Sequence, residues 1–350
     1  MNPTSASRSF EPFRPARSVS RRALLVATGG AAAIAALGGT IPARAQGTGG
    51  YQNPVEPTNH PDPAVLYADR AFWLYSTAGQ MGAMPVLTSP DLVNWTEVGN
   101  GMPVIAPWSV PGRHWAPEVI QVGQRYLSYY TARRADMNQQ AISVSLADSP
   151  AGPFVDDRTT PLIGQTDEGG SIDASPFQDA DGSLWLLWKN DGNSRGLPSY
   201  IYLQRLTDDG LELVGEPKRI IGMDQPYEIY TIEGASVIIH KGVYYCFYST
   251  GEYWRNTYGV CWATAPGITG PWTKQGNGPI LAGNDVAAGP GHGMPIKVGP
   301  HWWYVYHAWQ PDAVGSPPGR LVWLSRLKFT DEGPVIDGPN EENPFEPILF

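Results

Sequence analysis

Five short segments of this 350-residue chain repeat one pattern at nearly constant spacing. They read Asp62-Pro-Ala-Val-Leu66, Trp115-Ala-Pro-Glu-Val119, Asp173-Ala-Ser-Pro-Phe177, Glu233-Gly-Ala-Ser-Val237 and His292-Gly-Met-Pro-Ile296, and their first residues are 53, 58, 60 and 59 apart. Each is followed by a turn and an aromatic-rich run: Phe72 to Ser76, Tyr126 to Tyr130, Leu184 to Trp188, Tyr244 to Tyr248 and Trp302 to Tyr306. A unit this short cannot bury its apolar face alone, so stacking or ring closure is required. If the repeats surround an axis, their equivalent residues converge on it. Asp62, Asp173 and Glu233 would then share one pocket, and three convergent acids are a candidate active site.

The outer parts of the repeats keep the same period. Trp95, Phe154 and Trp272 each follow a Pro/Gly turn, with 59 residues between the first two and 118, two repeats, between the second and third. A blade of four antiparallel strands with its turns uses about this length. No stretch after residue 45 shows clean helical periodicity, and 34 Pro with 40 Gly suit many tight turns. The expected fold is all-β: a five-bladed β-propeller with four antiparallel strands per blade.

Residues 1–45 do not fit the repeats. Ser20-Arg21-Arg22-Ala-Leu-Leu, a weakly apolar Ala/Gly stretch and Ala43-Arg44-Ala45 read as a twin-arginine export signal with its cleavage site. Residues 46–350 are expected to form a single catalytic propeller outside the cytoplasm, secreted or periplasmic. Six of the 24 basic residues and one of the 33 acids precede residue 46, leaving 18 against 32 and a net charge of −14. Such a surface repels phosphate backbones and anionic lipid, which argues against nucleic acid or membrane as partner. A neutral plant cell-wall polysaccharide or oligosaccharide is compatible, and the protein is expected to be a monomer.

Asp62-Pro63, Trp115-Ala-Pro-Glu118, Ser171-Ile-Asp-Ala-Ser-Pro176, Glu233-Gly-Ala235 and Gly291-His-Gly293, with Ser89-x-Asp91-Leu92-x-x-Trp95, resemble glycoside hydrolase family 43 over roughly residues 53–330. The resemblance implies a five-bladed propeller that cleaves arabinose- or xylose-containing glycans with inversion at the anomeric carbon. It makes Asp62 the general base, Glu233 the general acid and Asp173 the third carboxylate, expected to orient Glu233 and raise its pKa. It places His292 at the propeller axis, where it helps hold a hydrated calcium ion or an ordered water; no cofactor is required. It also implies that Arg320 reaches the substrate or an acid.

Other residues are read from their positions. Trp115 occupies an axis-facing register position in place of an acid and is expected to be a sugar platform, with Trp108, Tyr253 and Trp254 as further loop candidates. Trp73, Trp185, Trp188, Trp302 and Trp303 fall on second strands, where packing between blades uses them. Cys246 and Cys261 lie on successive strands; a hairpin can bring them together, yet a register step can also part them, so a disulfide stays open. The expected activity is exo-acting α-L-arabinofuranosidase on arabinan or arabinoxylan. β-Xylosidase on xylo-oligosaccharides, endo-arabinanase and a non-catalytic binding propeller remain alternatives.

Overall fold

The aromatic second strands nucleate the architecture. The computed structural model describes residues 50–347, and in it each aromatic run pairs antiparallel with the repeat segment that precedes it. Blade one comprises Ala64–Ala68, Ala71–Tyr75, Pro85–Ser89 and Thr96–Asn100; blade three comprises Ser171–Gln178, Leu184–Asn190, Tyr200–Leu206 and Leu213–Gly222. Blade five is Ala288–Val298, His301–Trp309, Leu321–Thr330 and Gly333–Asp337. In blade four, Ile232–His240, Val243–Thr250 and Gly259–Ala265 carry two short outer strands, Thr273–Gln275 and Leu281–Ala282, on one edge.

Blade two departs from four strands. Ser109–Val122, Arg125–Arg134 and Gln140–Ala147 form the sheet, and the outer position shrinks to two isolated bridges, Leu146 to Val155 and Ile142 to Ile163. Pro150, Pro153 and Pro161 fall in that segment. Each lacks the N–H a continuous ladder needs. The export signal expected at residues 1–45 lies outside the described residues.

Apolar residues gather between blades rather than inside them, in five clusters. Val65 and Leu74 of blade one meet Val298 and Trp303 of blade five, and Tyr75 meets Tyr130 of blade two. Tyr129 meets Trp188 across blades two and three, Leu203 meets Tyr248 across three and four, and Phe247 meets Tyr304 across four and five. Trp73, Trp185, Trp188, Trp302 and Trp303 all join these seams. Each seam needs both of its blades, so the ring is stable only when closed.

Closure is made near the termini. Tyr51–Gln52 pairs with Glu342–Asn343, and Glu56 bridges to Val322 of blade five. The buried Asn53 amide donates to Leu324 O (2.8 Å) and Asn340 O (3.0 Å) and accepts from Leu324 N–H (2.9 Å). Cys246 sits opposite Ala263 and Cys261 opposite Tyr248. The two thiols are therefore two register steps apart, and both are free and buried.

Replacing Asn53 with alanine strands buried groups of Leu324 and should lower unfolding free energy by about 2–4 kcal/mol. Denaturant titration measures it; a loss below about 0.5 kcal/mol would show that the ring does not depend on this closure.

Candidate active site

At one end of blades two to five the inner strand carries an extra residue. Register slips occur between Trp115 and Glu118, Ile172 and Ser175, Glu233 and Ser236, and Gly291 and Met294. In each slip one residue turns left-handed: Ala116 (φ 41°), Asp173 (59°), Gly234 (58°) and His292 (43°), with Asp62 (56°) as the blade-one counterpart. These five are the true structural equivalents. Trp115 and Glu233 each stand one residue before the position the sequence pattern assigned them.

The bulge has a direct functional consequence. Consecutive strand residues ordinarily face opposite ways, whereas a bulge re-aims one of them. Here both positions face a single pocket: Asp62, Asp173 and His292 from the left-handed positions, Trp115, Ile172 and Glu233 from the residues before them. Left-handed backbone costs a non-glycine residue roughly 1–2 kcal/mol, so strain is concentrated where the charged side chains are. Gly234 cannot be exchanged as the others can, because a Cβ there would lie 2.9 Å from the His292 ring.

A stitch from the preceding blade holds four of the five left-handed positions. Ala116 N–H donates to Thr77 Oγ1 (2.9 Å), Asp173 N–H to Thr131 Oγ1 (3.1 Å), His292 N–H to Ser249 Oγ (2.8 Å) and Asp62 N–H to His307 Nδ1 (3.1 Å). Lys189 is the fifth member of this set. Its ammonium reaches the Glu233 side chain instead, at 2.9 Å from Oε2.

Asp62 is buried among donors. Arg320 lies 2.7 Å from Oδ1, Thr77 Oγ1 donates to Oδ2 at 2.6 Å, and His292 Nδ1 is 3.3 Å from Oδ1. Burial opposes its charge, but Arg320, His292 and Thr77 outweigh that and hold its pKa well below the usual carboxylate range. His307 Nδ1 accepts the Asp62 N–H, and burial with Arg320 keeps this imidazole neutral. Its 3.4 Å approach to Oδ1 is therefore no ion pair.

Glu233 and Asp173 sit on adjacent blades. Burial favours a proton on Glu233, but Lys189 and His292, with the Tyr258 hydroxyl donating to Oε1 at 2.8 Å, bring its pKa down. Burial dominates at Asp173 and, with the Glu233 and Asp62 charges, raises it. The repulsion between the two carboxylates is mutual, so each charge disfavours the other's, but at Glu233 Lys189 and His292 outweigh it. Two such groups titrate as a unit. His292 is raised, because four surrounding acids overcome the effect of burial.

Arg320 and Trp115 line the pocket as expected, as do Tyr253 and Trp254. Trp108 does not: it is buried, stacks on Tyr130 at 6.2 Å and donates to Asp156. Sequence reading missed Lys189, His307 and Tyr258, all buried. It also passed over Glu118, which burial pushes up to about 7 beside Ser175, His292 and Asp173. Among the described residues no three His, Cys, Asp or Glu side chains converge as metal ligands. An ion at His292 would rest on waters.

The family model for glycosyl hydrolases family 43 matches residues 51–335. The chain belongs to that family. This family 43 chain is 29% identical over 304 residues to β-D-galactofuranosidase xynD of Aspergillus niger, covering 81% of this chain and 84% of that protein. It is 25% identical over 282 residues to the extracellular exo-α-(1→5)-L-arabinofuranosidase ArbA of Cellvibrio japonicus, covering 71% and 78%. A thermostable family-43 glycoside hydrolase superposes with a TM-score of 0.78 at 32% identity, covering 86% of this chain and all of that one. The five-bladed all-β architecture and the glycosidase class stand on these matches together with the geometry.

The electrostatics make a signed prediction for this family 43 enzyme. Lys189 favours the charged forms of both Glu233 and Asp173. Lys189→Met should therefore move the alkaline limb of the kcat/KM profile, where the pair loses its proton, upward by about 1–3 pH units. A limb that stays in place would show that Lys189 does not set the acid's protonation.

Proposed function

We propose that the protein is an inverting, exo-acting α-L-arabinofuranosidase that releases arabinose from arabinan or arabinoxylan. The observation that carries this reading is the placement of Asp62 and Glu233 on blades one and four, which are not neighbours in the ring, around one pocket of about 370 Å³. Among the described residues the two carboxylates share no hydrogen bond or ion pair. Inversion needs about 6.5–9.5 Å between the two carboxyl groups to admit a water between base and sugar, and attachment to non-adjacent blades leaves room for it. The volume lies near the lower end of the roughly 300–1,000 Å³ of small-molecule sites, which suits a chain end more than a long open groove.

In this reading Asp62, ionised and aligned by Arg320 and Thr77, takes the proton of the attacking water. Glu233 protonates the leaving oxygen. Asp173, raised beside it, disfavours its charge, and approach of an uncharged sugar that displaces water around Glu233 favours its protonated form. Trp115 offers the sugar a flat apolar face. The twin-arginine pattern ahead of the propeller and the extracellular relative support export.

A second reading is β-D-galactofuranosidase, favoured by the Aspergillus relative. The two furanose rings share their stereochemistry and differ by one exocyclic carbon, so the same pair of acids serves both. β-Xylosidase requires a pyranose instead. Aryl α-L-arabinofuranoside, β-D-galactofuranoside and β-D-xyloside assayed side by side separate these readings, with the arabinofuranoside expected to give the highest kcat/KM.

Asp62→Asn and Glu233→Gln should each remove at least about 3 kcal/mol of transition-state stabilisation, over a hundredfold in rate, with the fold retained. Near-normal turnover by Glu233→Gln on a poor leaving group would refute the acid assignment.

A further inference from the structure

The pocket wall on the Glu233 side carries apolar surface that the chemistry above does not use. Ile229 and Tyr230 are 44% and 42% exposed, and Tyr230 lines the pocket three residues before the acid. Tyr230 is also held left-handed (φ 67°), a strained state for an aromatic residue. Trp254 meets it edge-on, with ring centroids 5.1 Å apart at 82°. Contiguous exposed apolar surface at the rim of a pocket marks a ligand-binding face, unlike single scattered side chains.

This wall is rigidly built. The Glu228 carboxylate, two residues before Tyr230, accepts from Asp224 N–H (2.9 Å), Gln225 N–H (3.0 Å), Lys274 Nζ (2.6 Å) and Tyr248 Oη (2.8 Å). It is fully buried, so this loop carries an internal ion pair whose desolvation is costly. On the other side, Trp309 Nε1 donates to Tyr253 O at 2.7 Å and pins the segment bearing Trp254.

We propose that Tyr230 and Trp254 form the binding surface for the leaving group, a second sugar ring whose C–H face packs on the aromatic rings. The proposal rests on the glycosidase reading of the same pocket. A general acid must reach the scissile oxygen, and whatever lies beyond that oxygen departs with it. The leaving group therefore sits against the wall nearest Glu233, while Arg320 and Trp115 belong to the sugar attacked beside Asp62. Asn193 and Ser194, also on the pocket wall, add a polar edge. Asn193 is held there by Lys189, whose ammonium donates to Oδ1 at 2.7 Å.

The test compares α-1,5-arabinobiose, whose leaving group is a sugar, with methyl α-L-arabinofuranoside, whose leaving group has no ring to stack. For Tyr230→Ala and Trp254→Ala the ratio of kcat/KM on the disaccharide to that on the methyl glycoside should fall at least about tenfold, and Tyr230→Phe should keep the wild-type ratio. Equal losses on both substrates, or no loss on arabinobiose, overturn the platform. A wild-type protein that cleaves neither compound overturns the arabinofuranosidase reading itself. That outcome is visible before any variant is made.

Discussion

The active-site end of this propeller depends on one backbone device, a left-handed residue repeated in all five blades and set in a bulge of the inner strand in four of them. It breaks the alternation of side chains, so that two consecutive residues of a strand face one pocket. Asp173 and Glu233 reach that pocket from non-equivalent positions because of it. The left-handed position is strained in four of five blades, where it is not glycine, and the stitches from neighbouring blades hold it. Thr77, Thr131, Ser249 and His307 each satisfy one such N–H. Packing between blades and geometry at the axis are thus one problem.

Charge then divides the pocket. Arg320 holds Asp62 ionised on one side, and Lys189 holds Glu233 on the other. Both cations are largely buried, so their effect is weakly screened by salt. Between them Asp173 and His292 are shifted upward and keep a proton within the cluster. Carboxylates of similar intrinsic strength are thus shifted in opposite directions by their surroundings, Asp62 and Glu233 downward and Asp173 upward, a division that residue type alone does not give.

Much of this was legible in the chain. The repeat period gave the blade count, and the aromatic runs gave the second strands and the seams between blades. The trio of acids followed from the repeats and the family resemblance. The one-residue register error arose because strand patterns carry no mark for a bulge. Yet a mark existed: aligning Ala174-Ser175 with Ala235-Ser236, and Pro63 with Pro117, puts Gly234 and Ala116 at the equivalent positions. Lys189 was hidden at the end of an apolar strand, where a lysine reads as the strand's exposed terminus. Tyr258 and His307 were hidden for another reason: both reach the acids across blades, and contacts between strands distant in sequence leave no local pattern. Trp108 was misplaced because a loop tryptophan before an axis motif resembles a platform, whereas tertiary packing on Tyr130 claims it.

The central claim is that Asp62 activates water directly while Glu233, on a non-adjacent blade, protonates the departing oxygen. Proton NMR of the first product, recorded during early hydrolysis of an α-L-arabinofuranoside before mutarotation, tests it most directly. The account predicts that the β-anomer appears first. Initial appearance of the α-anomer would mean that one carboxylate attacks the sugar covalently, and would contradict the account even if every acid in the pocket proved essential.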